Sequence, residues 1–249
     1  MHWESVWRLT KKDLKAGGLL ALGVMVFLLI YGLFSTQNAL EFLSLEDGNS
    51  GWRKHSSSVI MDFTFLCFVS VLGAAFYKDH FSSYWRTDIF TKQLQFIRRL
   101  PIDPKHIVQS RVLQILISTV LCAACFLLPF GVIVAFFSET PVYATDFILF
   151  TIFWMSYSIF FGMIYLMLEL SMSGKKYAIF GSLLYVPVFI TDIVMIFGFK
   201  KSFVIETLFF GRSVPGTIMG SGLVILALAC AAAAYKKTIT IVKNRDLSA

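Results

Sequence analysis

The sequence predicts an all-α, polytopic membrane protein with six transmembrane helices and both ends in the cytoplasm, and three observations carry that prediction. Hydrophobic residues make up 57% of the 249, charged residues only 15%, and mean hydropathy is +0.74, an apolar share above the roughly 45–50% of a soluble domain. The apolar residues arrive in long uninterrupted blocks, the pattern lipid selects because each spanning segment must satisfy its own backbone groups. The basic residues are lopsided: of the 22 Lys and Arg, all but Arg53, Lys54, Lys200, Lys201 and Arg212 fall in the two tails and alternate loops, which assigns that side to the cytoplasm. The same asymmetry accounts for the net charge of +7 through attraction to anionic lipid headgroups, with no nucleic-acid partner implied.

Taken in order, the chain begins with Trp3, Trp7, Thr10 and Leu14 at i, i+4, i+7 and i+11, while Arg8, Lys11, Lys12 and Lys15 occupy other positions. This spacing predicts a short amphipathic helix lying in the interface, with a basic flank carrying aromatic anchors as the competing account. The block that follows is too long for a signal-peptide core, so no cleaved signal is expected. Six blocks reach the roughly 20 residues that a bilayer requires: about 16–35, 59–77, 111–137, 147–168, 177–199 and 217–235. They form one transmembrane domain over residues 1–249. Pro129 and Pro187 are candidate kinks in the third and fifth. The four cysteines, Cys67, Cys122, Cys125 and Cys230, lie inside apolar blocks and are expected to be small core residues rather than a disulfide or metal framework.

The longest basic loop, about 78–110, is unusual. Tyr84, Trp85, Ile89, Phe90, Leu94, Phe96, Ile97 and Leu100 are apolar in a segment expected outside the bilayer, and Pro101 and Pro104 then break the helix. Exposed apolar helix faces of this kind bind a membrane surface, the protein's own helix ends or a partner. The run Phe96-Ile-Arg-Arg-Leu-Pro-Ile-Asp-Pro-Lys-His-Ile-Val-Gln-Ser-Arg-Val-Leu113 resembles F-x-x-x-LP-[IV]-[ST]-[RP]-x-x-IV-x-S-[RK]-x-L, a stretch that follows the second span in bacterial ABC-2-type permease subunits. The departure is Asp103, where Ser or Thr is commoner.

That resemblance implies a cytoplasmic coupling helix between the second and third spans that docks on a separately encoded ABC ATPase. On it, Tyr84, Trp85, Ile89, Phe90 and Leu94 would make the docking contacts, with Arg98 and Arg99 on the rim. It likens the basic helix at Trp3–Lys15 to the family's connecting helix. It also implies a second permease copy or a paralogue as partner, location in the bacterial cytoplasmic membrane, and export of an amphipathic or hydrophobic substrate such as a peptide, toxin or antibiotic. ATP and Mg would sit on the partner, with no cofactor in this chain.

The chain itself carries no phosphate-binding loop: Ser173-Gly174-Lys175-Lys176 has Glu169 where the upstream glycine belongs. His2, His55, His80 and His106 lie in separate segments without metal-ligand spacing, and no HExxH or GxSxG occurs, so an enzyme is not expected. Charged residues within or beside spans are the remaining candidates for a substrate pathway. Asp192 falls about 22 Å along the fifth span by helical rise; Asp62 falls near the outer end of the second; Glu206 stands alone in the apolar run Phe203–Phe210. Each of the two aspartates has structural alternatives: snorkelling, capping a helix N-terminus, or pairing with a lysine. The Phe203–Phe210 segment suits a short helix dipping into the outer interface, or, by the resemblance, a re-entrant element near the exit gate. Gly216-xxx-Gly220 allows close approach to the last helix. Two other classes stay open: a secondary transporter, which needs paired intramembrane ionisable groups, and a non-transporting membrane sensor or immunity protein.

Overall fold

A computed structural model describes residues 2–44, 51–74, 95, 103–138, 140–199 and 201–244, and every element in it is helical. The elements are α1 (His2–Ser44), α2 (Gly51–Thr64), α3 (Pro104–Phe137), α4 (Ala144–Ser171), α5 (Gly174–Leu183), α6 (Tyr185–Ile193), α7 (Phe203–Leu208) and α8 (Val214–Asn244). A π turn at Phe65–Val69 and a 3₁₀ turn at Leu72–Ala74 continue α2, and a second π turn, Val194–Gly198, continues α6. Five segments are long and apolar enough to cross a membrane: Gly17–Glu41, Pro104–Phe137, Ala144–Ser171, Gly174–Gly198 and Val214–Asn244. The protein is therefore a multi-pass, all-α membrane protein. Among the described residues the apolar helix of the second expected span is Ser58–Val69, shorter than a bilayer requires, and residues 75–77 of that block lie outside them.

The expected interfacial helix is not a separate element. It forms the first turns of α1, which runs unbroken for 43 residues. Of the predicted stripe, Thr10 packs inward while both tryptophans stay on the outer surface of the bundle. Trp3 and Trp7 are 66% and 44% exposed, whereas Val6 and Thr10 are buried. Thr10 turns inward because its hydroxyl donates to the Ser110 carbonyl (3.2 Å) as well as to Val6 (3.0 Å). One turn on, Asp13 pairs with buried Arg111 (3.5 Å), which also donates to Gln114 (3.2 Å).

Helix α3 starts where the sequence breaks. Asp103 is its N-cap in extended conformation, accepting from the Lys105 N–H (2.8 Å), and Pro104 occupies the first turn, where a missing N–H costs nothing. That N–H, assisted by the charges of His106, Lys243 and Lys105, holds the Asp103 carboxyl below the usual carboxylate range. Asp caps in this way as Ser and Thr do.

Contacts fix the directions of the passes. Helices α1 and α3 run parallel: Thr10 meets Ser110, Asp13 meets Arg111, and Gly32 lies against Phe126. Between them the Ser58–Ala74 segment runs the other way, with Phe65 against Phe126 and Phe130, then Ser118 bonded to Leu72. Helix α4 returns antiparallel to α3, since Gly131 abuts Phe147 and Thr119 meets Ser158. Pro187 marks a break at Leu184 between α5 and α6, as a proline that clashes with the preceding turn should; Pro129 leaves α3 continuous. The largest core cluster surrounds Phe65, which contacts Phe126, Phe130, Phe150 and Trp154 at centroid separations of 5.0, 5.0, 5.7 and 5.1 Å. A second cluster joins Val108 and Ile115 of α3, Met163, Leu166 and Leu170 of α4, and Ala231 and Val242 of α8.

Close helix approach depends on glycine at few places. A Cβ on Gly32 would stand 2.6 Å from the Phe126 carbonyl oxygen, whereas one on Gly18 would meet nothing within 4 Å. Gly32→Ala is therefore expected to destabilise the purified protein by about 1–3 kcal/mol through overpacking, with Gly18→Ala unchanged. Thermal unfolding in detergent checks both; equal behaviour of the two variants would remove the α1–α3 contact from the account.

Candidate functional site

The polar residues that the sequence places near one end of the bundle meet around α7. This six-residue helix does not lie flat on a surface. Val204, Ile205, Thr207 and Leu208 are buried, and Phe203, Val204, Ile205 and Leu208 join the Phe65 cluster. Its own cap is Ser202, whose hydroxyl accepts from the Ile205 N–H (3.3 Å). A second cap arrives from another pass of the bundle: Asp62, with no solvent exposure, accepts from Ser202 Oγ (2.6 Å), the Phe203 N–H (2.7 Å) and the Val204 N–H (2.9 Å). A carboxylate at a helix N-terminus meets both the free N–H groups and the positive end of the helix dipole. Of the roles open to Asp62, capping is the one it fills.

The other face of α7 is held by α4. The Trp154 indole N–H donates to Thr207 Oγ1 (3.3 Å), and Phe153 packs edge-on against Phe210 (5.8 Å). Beyond α7, Arg212 stacks its guanidinium 3.9 Å over the Phe209 ring, pairs with buried Asp146 (3.3 Å) and donates to the Pro141 carbonyl. Asp146 in turn belongs to the capping box that starts α4 with Tyr143. Gly216 and Gly220 serve this same end: a Cβ on either would run into Phe210. Their spacing therefore seats the chain after α7 against its own following helix.

The three pathway candidates are thus separated by environment. Glu206 pairs with Lys201 (2.8 Å) with both side chains about half exposed, which makes it a rim residue. Asp62 spends both oxygens on α7. Asp192, on α6, is 4% exposed, and its Oδ1 has no hydrogen-bond partner. It sits within electrostatic reach of Asp62 and of Cys67, and one turn from Phe189, which packs on Phe63 (5.1 Å). Tyr84, Trp85, Ile89, Phe90, Leu94, Arg98 and Arg99 lie outside the described residues. The four cysteines are free, and no group of three or more potential metal ligands occurs among the described residues.

Sequence reasoning missed Ser202, Thr207, Trp154 and the Asp146–Arg212 pair. A signal existed for two of them: Ser202 stands immediately before an apolar run, and Asp146 lies three residues after Tyr143 at a helix start. The chain matches no family model, no curated protein and no solved structure.

Replacing Asp62 by Ala strands three donors, two of them buried and the Phe203 N–H partly so, at about 1–3 kcal/mol for each buried group left unmet. Hydrogen exchange at the Phe203 and Val204 amides should accelerate in Asp62→Ala while exchange in α3 stays slow. Unchanged protection in α7 would mean that apolar packing alone holds it.

Proposed function

We propose that the chain is the transmembrane permease subunit of an ATP-driven ABC exporter, moving an amphipathic or hydrophobic substrate such as a peptide, toxin or antibiotic out of a bacterial cell. Two such subunits, identical or paired with a paralogue, would enclose the pathway. Two separately encoded ATPases would drive it through the segment from Tyr84 to Leu100. In this reading the Ser58–Ala74 segment completes the second of six crossings, both termini are cytoplasmic, and α7 lies on the outer side near the exit.

One observation carries the reading: the run Phe96–Leu113, in which a basic, apolar segment ends at Leu100-Pro101 and a capped helix begins at Asp103-Pro104. Two others support it. The segments α1, Ser58–Ala74, α3 and α4 alternate in direction, as successive crossings would, and the basic residues gather on the side where an ATPase would dock. The buried α7, tied to both Asp62 and Trp154, gives the outer end an element whose release would open it.

The test is purification. A C-terminally tagged chain taken from native membranes in mild detergent should bring a P-loop ATPase with it, seen by mass spectrometry and ATP hydrolysis. Phe90→Asp should abolish that association while the protein still inserts. If no ATPase accompanies the wild-type chain under conditions that preserve known complexes, the Tyr84–Leu100 segment is a membrane-surface element and the exporter reading fails.

A further inference from the structure

Among the described residues, Asp192 is the one buried carboxylate with an oxygen that no donor satisfies. A charge in that position is costly in a membrane bundle, and here a second carboxylate, Asp62, lies within electrostatic reach on the neighbouring segment, whose Phe63 packs on Phe189. Two ionised carboxylates sharing a water-poor site repel. Asp62 keeps its charge usefully occupied by three donors on α7. Asp192 has no such compensation: the adjacent Thr191 hydroxyl donates to the Pro187 carbonyl (2.9 Å), and Ser70 donates to the Cys67 carbonyl (2.7 Å) and bonds Tyr185 Oη (3.0 Å).

We propose that Asp192, beside Asp62, is a proton-binding site of this protein, taking up a proton on its carboxyl oxygen and releasing it again. Among small cations the proton is the one the geometry fits. A metal ion needs several oxygen ligands at once, and Asp62 has none to lend while it caps α7. A proton needs only the one free oxygen, forms an O–H bond there and removes the repulsion between the carboxylates. The titratable groups within electrostatic reach are Asp62 from α2 and Cys67 from the π turn that follows it; Tyr185 lies two turns back on the same pass, and Lys175 and Lys176 of α5 stand at its far end. Glu206 of α7 is paired with Lys201. Access is short, because Asp192 lies two residues before the π turn Val194–Gly198 that ends its pass.

The proposal stands apart from the exporter reading, since it requires neither an ATPase nor a cargo. Proton occupancy of Asp192 also sets the hold on α7: an ionised Asp192 pushes against the carboxylate that caps it.

Infrared difference spectroscopy on the full chain in lipid vesicles, stepped through pH, tests this directly. Aspartate labelled with heavy carbon at the side-chain carboxyl identifies the aspartate bands. A protonated-carboxyl C=O band should appear at acid pH, fade as pH rises, shift with the label and be lost in Asp192→Asn. Replacing sodium with choline should leave it in place. If Asp192→Asn fails to fold, Asp192→Glu should move the same band and remove its sensitivity to the aspartate label. The proposal is overturned if Asp192→Asn retains every titrating aspartate band, if Asp192→Glu retains the labelled band unmoved, or if the band vanishes only when sodium is added, which would place a metal ion at the site.

Discussion

A helix that breaks inside a membrane bundle must find partners for the carbonyls its breaks release, because lipid offers none. The Ser58–Ala74 segment passes through two irregular turns, and neighbours supply what it lacks: Tyr157 donates to the Leu66 carbonyl (3.0 Å) and Ser118 to the Leu72 carbonyl (2.6 Å). Each bond also sets the rotation of its own helix, so α3 and α4 face the broken segment with chosen residues. The aromatic residues then follow. Phe65 opens the first π turn and carries the cluster that joins α3 and α4. Gly73 and Gly162 close the far side against Ile115, where added side-chain atoms would stand 3.0 and 2.9 Å away.

The same logic governs the α7 end. A six-residue helix cannot stabilise itself in isolation, and α7 is kept by what touches it. Asp62 and Ser202 satisfy its N-terminal amides, Trp154 reaches Thr207, and the Phe65 cluster covers its apolar side chains. Because Asp62 comes from the broken segment, any movement of that segment is felt at α7. The neighbouring Asp192 bears on the same carboxylate. The irregular segment, the cap and the unsatisfied oxygen therefore form one connected arrangement.

The long apolar helices were plain in the sequence because lipid exposure imposes a pattern over twenty or more residues that survives without knowledge of neighbours. Pro187 was readable for a local reason, a missing N–H and a ring that clashes with the preceding turn. The second pass was less so. Its apolar run is real, but whether Phe65–Val69 winds as an α-helix or a π turn depends on hydroxyls more than forty residues away in the chain. The stripe at the start of α1 was legible only in part: Trp3 and Trp7 stay on the outer surface, but Thr10 and Asp13 find partners on α3 and Val6 is buried, contacts that local spacing does not show. Asp62 could be singled out as costly and capping could be named as an option, but its helix lies 140 residues further on, and no local spacing connects the two.

The parallel pairing of α1 with α3 bears on how the molecule is built. Its contacts join residues about a hundred positions apart, Thr10 to Ser110 and Gly32 to Phe126, with a whole reversed segment between them. As the nascent chain emerges, α1 enters the bilayer long before its closest companion exists, and the broken segment enters before the hydroxyls that complete it. Until α3 and α4 follow, Gly32 and the Leu66 and Leu72 carbonyls lack the partners they have in the folded chain. These contacts can therefore close only after α3 and α4 have been made, so the order of synthesis and the order of packing differ.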